Sequence, residues 1–235
     1  MITLWGLRNS SNVQKVTWAL GELGLAFERH DLGGSFGGTR DPDYLAINPN
    51  GLVPTIRDGG LVLFESDAIL RHLARRHGEG TLWPRDVGQA ALADQWTSWA
   101  TTTFYPAVRP LFFATVRTRR AEQDLSSLGP AAERLAPVIA ILERALEGRR
   151  FLLGDALTFG DIGPAIVARR ALLVPHGAPT APNVARWLDR LRERPAFRDH
   201  VDLPMGTCLE EWLEHEKALG ATGKKDHERR ADFRK

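Results

Sequence analysis

The chain has 235 residues, 43% hydrophobic and 26% charged, a composition typical of a globular protein with one large or two compact domains. Its 31 Lys and Arg residues nearly balance 29 Asp and Glu residues, and a net charge of +2 excludes a strong general attraction to nucleic acid. A single cysteine, Cys208, excludes a disulfide framework and any multi-cysteine metal site.

The N-terminus opens directly on a strand pattern at Ile2–Trp5, with no positively charged leader before it. The sequence also predicts no membrane-spanning segment. We therefore expect a cytoplasmic protein with neither membrane nor nucleic acid among its partners.

A strand–helix–strand unit is predicted for the first 31 residues. A polar turn follows the strand, and Ser11 or Asn12 is the expected N-cap of the helix. That helix is indicated by apolar residues at helical spacing and by a glycine that ends it, namely Val13, Val16, Leu20, Leu23 and Gly24. Residues 26–31 suit a second strand, and the helical connection implies that the two strands pair in parallel.

A hairpin and a helix are predicted to complete this first unit. Residues 48–51 form a dense turn signal, and residues 53–57 suit a strand that contains Pro54. A short glycine turn joins it to a further strand at 61–64, and Ser66 is the expected cap of the next helix. The predicted order is βαβ followed by ββα.

Beyond residue 78 every periodic segment is helical, which divides the chain into two domains. We expect a first domain, a linker, a helical domain and a mobile charged tail at residues 1–79, 80–86, 87–219 and 220–235. Helices are predicted at residues 89–118, 131–147, 161–173 and 183–194. Pro106 and Pro110 should bend the first of them, and Thr158 with Asp161 resembles an N-cap arrangement.

This architecture, together with three local sequences, resembles the cytosolic glutathione transferases. The three sequences occur in the expected order at residues 10–16, 48–56 and 64–69. The resemblance covers roughly residues 1–200, and within the family it is strongest to bacterial members with a serine–asparagine turn in place of a tyrosine. It implies an α+β thioredoxin-like N-terminal domain (βαβ-ββα) followed by an all-α C-terminal domain, with glutathione as cosubstrate.

The first sequence is interpreted as the catalytic turn. Free thiols have a pKa of about 8.5, so a protein that uses glutathione at neutral pH must stabilise the thiolate. A hydroxyl donor at a helix N-terminus does so by hydrogen bonding and through the helix dipole. The resemblance assigns that hydroxyl to Ser10, with Ser11 as the alternative, and adds the side chain of Asn12. A plain N-cap is the alternative interpretation.

The second and third sequences are interpreted as binding elements. The resemblance implies that the bond between Val53 and Pro54 is cis and that the Val53 backbone meets the cysteinyl part of glutathione. It also implies that Ser66 holds the glutamyl carboxylate and that Glu65 or a neighbour receives the ammonium group. A proline at a strand edge and a simple helix cap are the structural alternatives.

The chain departs from the family pattern at Leu52, where many relatives have a lysine or arginine for the glycyl carboxylate. Arg40, in the preceding loop, is the candidate replacement, with Asn50 and Lys15 as weaker ones. A solvated Arg40 is an equal alternative.

The acceptor side of the site is expected on the long helix after the linker, because the resemblance places the electrophile pocket there. Tyr105, Arg109, Phe113 and Arg117 are the candidates, and an arginine could pair with a carboxylate on a small halide. Solvent-exposed arginines are the alternative. The seven histidines show no metal-ligand spacing, so no metal is expected.

The predicted function is conjugation of glutathione thiolate to a small electrophile by a homodimer. Two alternatives remain open at this point. One is a glutathione-dependent disulfide or peroxide reductase, and the other is a non-catalytic interaction module with the same fold.

Overall fold

A computed structural model describes residues 1–174 and 180–220 of the chain. The predicted mobile tail at 220–235 lies, except for Gly220, outside the described residues. In the described part, the first unit contains the strands and helices β1 (Ile2–Trp5), α1 (Ser11–Glu22), β2 (Phe27–His30), α2 (Pro42–Ile47), β3 (Thr55–Asp58), β4 (Leu61–Phe64) and α3 (Ser66–His77).

The four strands form one sheet in the order β2-β1-β3-β4. β1 pairs in parallel with β2 and antiparallel with β3, and β3 pairs antiparallel with β4. The α1 crossover makes β1 and β2 parallel, and the tight turn at Gly59 (φ 60°) makes β3 and β4 antiparallel. The thioredoxin-like fold is thus confirmed, while α2 is an addition that the sequence did not predict.

The second unit is helical. Its helices are α4 (Val87–Trp99), α5 (Tyr105–Ala114), α6 (Gly129–Ala145), α7 (Phe159–Leu173), α8 (Pro182–Arg192), α9 (Pro195–His200) and α10 (Leu209–Ala218). The segment predicted as one helix at 89–118 is helical without a gap from Val87 to Ala114, and a π-helical segment, Ala100–Phe104, lies between α4 and α5. Pro106 lies just beyond this segment, and the carbonyl that its missing N–H leaves unpaired, at Thr102, lies within it, so one of the two prolines predicted to bend the helix is next to the irregularity.

α7 is the centre of the helical unit, because residues 159–171 are all buried. The predicted capping of this helix is confirmed: the Asp161 carboxylate accepts the Thr158 N–H at 3.0 Å, and the two residues form a capping box. The other Asp161 oxygen accepts the Leu152 N–H at 2.9 Å.

α1 packs against both units. It contacts α3 on one side and α7 and α9 on the other. Near its C-terminal end, Glu22 pairs with Arg194 at 2.6 Å, and the Trp18 ring meets Phe197 edge-on at 4.9 Å. Contacts with both units therefore fix α1 and, with it, the position of its N-terminus.

The segment Leu125–Ala145 is long and apolar enough to cross a membrane by length and composition alone. It includes α6, which packs against α5 and α8 and contributes Leu135, Ile139 and Leu142 to the hydrophobic core. We therefore interpret it as a core helix of the helical unit.

Candidate functional site

The polar turn before α1 leaves its side chains available to a ligand. Ser10, and not Ser11 or Asn12 as predicted, is the N-cap residue, and its backbone is extended. The Ser10 carbonyl accepts the Gln14 N–H at 2.8 Å, but its side chain makes no capping hydrogen bond. Ser10 and Ser11 are partly exposed and Asn12 is exposed. The turn thus presents two hydroxyls and an amide at the positive end of the helix dipole.

The peptide bond between Val53 and Pro54 is cis, as the resemblance implied. A buried polar group fixes this segment: Asn48 Nδ2 donates to the Leu52 carbonyl at 2.8 Å and to Thr55 Oγ1 at 3.0 Å. Tyr44, fully buried on α2, also hydrogen-bonds Thr55 Oγ1 at 2.8 Å. Tyr44 and Thr55 could not be identified from the sequence, because their role depends on the tertiary contact of α2 with β3.

The second residue of the third sequence, Glu65, has a strained backbone. Glu65 has φ 69° and is the N-cap of α3, so Ser66 is the first helical residue rather than the cap. A left-handed conformation in a residue other than glycine is uncommon and is concentrated at functional sites. Here it turns the chain so that the Glu65 side chain meets Asn50 Nδ2 at 3.4 Å.

The first and third sequences meet at Ser66, next to Glu65, which Asn50 of the second sequence contacts. Its hydroxyl donates to Oδ1 of Asn12 at 3.2 Å, which links the starts of α1 and α3. Lys15, one turn along α1, donates to Ser66 Oγ at 3.4 Å and pairs with Asp67 Oδ1 at 2.6 Å. The charge of Lys15 is therefore compensated within the protein, which leaves little of it for a glycyl carboxylate.

Arg40 lies beside this group. Its Nη1 atom is 2.9 Å from the position that a Cβ would occupy on Gly51, so the exposed guanidinium covers the turn that holds Asn50. Leu52 is 62% exposed and supplies no charge here. Among the described contacts, Arg40 is the cation next to the turn that holds Asn50, while Lys15 is already paired with Asp67.

The two arginines predicted on the acceptor side both make cation–π contacts with the ring of Phe113. The guanidinium of Arg109 lies 4.8 Å from the Phe113 centroid, and that of Arg117 lies 5.8 Å from it. Arg117 also lies 4.9 Å from the ring of Trp212, on α10. Neither arginine has a carboxylate partner among the described residues. Trp212 was missed, because α10 was not predicted.

Arg170, on α7, is a second residue that the sequence did not reveal. Its guanidinium is 4.8 Å from the Phe112 centroid and 5.7 Å from that of Trp212, and its Nη2 donates to the Asn9 carbonyl at 2.7 Å. Burial lowers the pKa of Arg170 to about 10, which leaves it charged at neutral pH. It thus joins the acceptor side to the residue that precedes Ser10.

Among residues 1–174 and 180–220, no group of three or more His, Cys, Asp and Glu side chains could hold a metal ion. His72 and His77 both approach Asp58, with Nε2 to Oδ2 distances of 2.9 and 3.8 Å. The hydrogen bond from His72 lowers the pKa of Asp58. Cys208 is buried.

Comparison with known proteins is consistent with this geometry. The family model described as "Glutathione S-transferase, N-terminal domain" matches residues 1–75, and "Glutathione S-transferase, C-terminal domain" matches residues 89–190. Glutathione S-transferase GstB of Escherichia coli (strain K12) is 39% identical over 207 residues, covering 87% of this chain and 100% of the relative. Glutathione S-transferase 3 of Zea mays is 33% identical over 207 residues, covering 85% of this chain and 93% of the relative.

The fold is similar to that of a theta class glutathione S-transferase from Xanthomonas axonopodis pv. citri, the citrus canker pathogen, whose structure was solved with glutathione bound. The TM-score is 0.82 at 40% sequence identity, and the match covers 87% of this chain and 99% of the other.

Proposed function

The chain belongs to the glutathione S-transferase family, and from this premise we propose that it binds glutathione at the starts of α1 and α3 and conjugates it to a small electrophile. The observation that carries the proposal is that three separate sequence segments meet at the start of α3: Ser66 donates to Asn12, and the adjacent Glu65 accepts from Asn50. These polar side chains lie beside Ser10, whose hydroxyl α1 does not use as a cap.

The reaction that we propose needs no covalent enzyme intermediate, because the cosubstrate is the nucleophile. The thiol of bound glutathione loses its proton to solvent, and the thiolate attacks an electrophilic carbon. A carbon–sulfur bond forms while the bond to the leaving group, such as a halide, breaks. The protein contributes thiolate stabilisation and the proximity of the two reactants.

We propose that Ser10, Ser11 and Asn12 form one thiolate site of the serine–asparagine type. The Ser10 hydroxyl is the expected principal donor, because it lies at the N-cap and makes no capping bond. Asn12 is the expected second donor, since it is exposed and only its Oδ1 is engaged, by Ser66. A thiolate between them would also gain from the dipole of α1.

The remaining binding roles follow the chemistry of glutathione. The backbone at Val53 is proposed to pair with the cysteinyl unit, next to the cis bond to Pro54. Ser66 and the free N–H groups of α3 are proposed to hold the glutamyl carboxylate, with Glu65 receiving the ammonium group. Arg40, alongside Asn50, is proposed to hold the glycyl carboxylate.

We propose that the acceptor carries a carboxylate, as a small halogenated acid does. Arg109 and Arg117 flank Phe113 without a described carboxylate partner, so two positive charges border this side of the site. Tyr105, partly buried in the first turn of α5, is the fourth proposed acceptor-side residue. A guanidinium that pairs with the acceptor carboxylate would orient the reacting carbon toward the sulfur.

We also propose a cytoplasmic homodimer, as a twofold assembly is the usual outcome for soluble homo-oligomers. Sedimentation equilibrium at micromolar concentration is expected to give twice the mass of the chain, and a monomer throughout would contradict the proposal.

The function is tested by two measurements on the full chain. Retention on immobilised glutathione with elution by free glutathione is expected, and its failure would contradict glutathione binding. An activity screen then compares halogenated acids, aryl halides, epoxides and small disulfides with glutathione. Conjugation supports the proposal. Reduction of disulfides alone would identify a reductase, and binding without any turnover would identify an interaction module.

A further inference from the structure

A buried positive charge lies beside the proposed thiolate turn. Arg170 is 6% exposed, and its only described hydrogen bond goes from Nη2 to the Asn9 carbonyl at 2.7 Å. Since that carbonyl belongs to the peptide bond before Ser10, the Ser10 nitrogen lies at most about 5 Å from Nη2. A helix of the C-terminal unit thereby holds a turn of the N-terminal unit.

No acid pairs with Arg170 among the described residues. Its neighbour Arg169 differs in this respect, because Arg169 Nε pairs with Asp202 Oδ1 at 2.8 Å. The charged and titratable groups that face Arg170 are Tyr105 on α5, Arg117 just beyond α5, and Arg169 on its own helix. From α10 it meets the uncharged Trp212, and from α5 also Phe112. The local charge is therefore positive and uncompensated.

An unpaired buried cation is costly, and an apolar side chain of similar volume would pack between two aromatic rings at least as well. The aromatic faces of Phe112 and Trp212 recover part of that cost through cation–π attraction. What a neutral side chain could not supply is a positive potential at the turn that carries Ser10, together with a firm donor to the Asn9 carbonyl.

We propose that Arg170 is a positioning residue for thiolate formation: it fixes the Asn9 carbonyl, and with it the Ser10 turn, and its charge favours the anionic form of bound glutathione. This inference rests on the proposed function. A sulfur that is hydrogen-bonded to Ser10 would lie on the order of 8 Å from the guanidinium. At an effective dielectric constant of about 20, that separation corresponds to a shift of about 1.5 units in the thiol pKa.

The test compares the pKa of bound glutathione in the full-length wild type, Arg170→Met, Arg170→Gln and Arg170→Lys, from the thiolate absorbance as a function of pH. Two neutral variants are used so that, if one fails to fold, the other can still be measured. The matched control is Arg169→Gln, which removes the adjacent buried arginine and should lower the melting temperature without moving the thiol pKa.

The neutral variants are expected to raise the thiol pKa by about 1.5 units, and Arg170→Lys, which keeps the charge, is expected to restore most of the difference. Conjugation should then be slower than wild type by up to about thirtyfold at pH 6.5 and nearly equal at pH 9.5. Folded neutral variants that bind glutathione with the wild-type thiol pKa would overturn the inference. Wild type that shows no bound thiolate at any pH would instead contradict the proposed function.

Discussion

The hydroxyl of Ser66, the first residue of α3, donates a hydrogen bond to Oδ1 of Asn12 on α1 at 3.2 Å. This bond joins two segments that are far apart in the sequence and places a hydroxyl where the free N–H groups of α3 begin. In the proposed complex, Ser66 donates instead to the glutamyl carboxylate, and the Asn12 side chain becomes available to the sulfur.

Ser66→Ala is therefore expected to weaken glutathione binding by about tenfold or more, because a hydrogen bond to a charged group contributes about 1.5–3 kcal/mol. The thiol pKa of the bound fraction should stay unchanged, since Ser66 acts at the other end of the ligand. Titration calorimetry at fixed pH measures the affinity. Ser126→Ala, in an exposed turn of the helical unit, is the control; affinity unchanged in both variants would remove Ser66 from the site.

Lys15 and Asp67 form a buried ion pair, and removing Asp67 should lower the free energy of unfolding more than removing Lys15 does. The Lys15 side chain is 6% exposed and that of Asp67 is 17% exposed, and Asp67 also accepts the Thr101 hydroxyl at 2.6 Å. Asp67→Asn leaves a buried cation unpaired and is expected to lower the free energy of unfolding by about 3 kcal/mol or more. Lys15→Met leaves a carboxylate that keeps Thr101 and partial solvation, so its cost should be smaller. Urea unfolding measures the free energy of unfolding of both variants. A larger loss of this free energy in Lys15→Met than in Asp67→Asn would contradict the prediction.

Asp161 gives the stability of the chain a distinct pH dependence. Complete burial raises the pKa of Asp161 from 3.8 to about 6, although hydrogen bonds from the Leu152 and Thr158 N–H groups act to lower it. Because the folded pKa exceeds the unfolded one, the native state retains a proton that the unfolded chain releases between about pH 4 and pH 6. This group's contribution to stability is therefore full below pH 4 and falls as the pH rises through that window, by up to about 3 kcal/mol.

Urea unfolding of wild type and Asp161→Asn at pH 4, 5, 6 and 7 isolates this contribution, because the other titrating groups are common to both proteins. The stability of wild type relative to the variant is expected to decrease from pH 4 to pH 6 and then to level off. A constant difference, or one that grows with pH, would show that the Asp161 pKa is not raised.

The arginines on the acceptor side should distinguish a charged electrophile from a neutral one. If a guanidinium pairs with the acceptor carboxylate, Arg109→Ala or Arg117→Ala should lower kcat/KM for a haloacetate by about tenfold or more and leave the matching haloacetamide nearly unaffected. Steady-state kinetics with both substrates at one glutathione concentration makes the comparison. Equal losses on the two substrates, or none on either, would contradict a carboxylate contact.

Much of the N-terminal unit could be predicted from the sequence, because its strands and helices show clear periodicity and its turns carry Gly, Pro and Asn. α2 was missed because Pro42–Ile47 is too short to show a helical period. The irregularity at Ala100–Phe104 was also missed. Thr101 in that π-helical segment bonds to Lys15 and Asp67, so a tertiary contact accompanies the irregularity as well as the neighbouring Pro106.

Only some of the acceptor-side residues could be predicted from the sequence. Arg109 and Arg117 could be proposed from their spacing among aromatic residues on one segment. Arg170 could not, because residues 159–171 are buried on all sides and no polar face indicates where its side chain points. Trp212 meets Arg117 and Arg170 only through the packing of α10, which no local pattern relates to α5 or α7.

The central claim is that the turn before α1 stabilises the thiolate of glutathione. Its most direct test is the thiol pKa of bound glutathione, measured by thiolate absorbance in wild type, Ser10→Ala, Ser11→Ala and Asn12→Ala. The account predicts a pKa below the free value of about 8.5 in wild type and the largest rise in Ser10→Ala. Asn12→Ala should give a smaller rise and Ser11→Ala the least. Identical titration curves for the wild type and all three variants, each with glutathione bound, would contradict it.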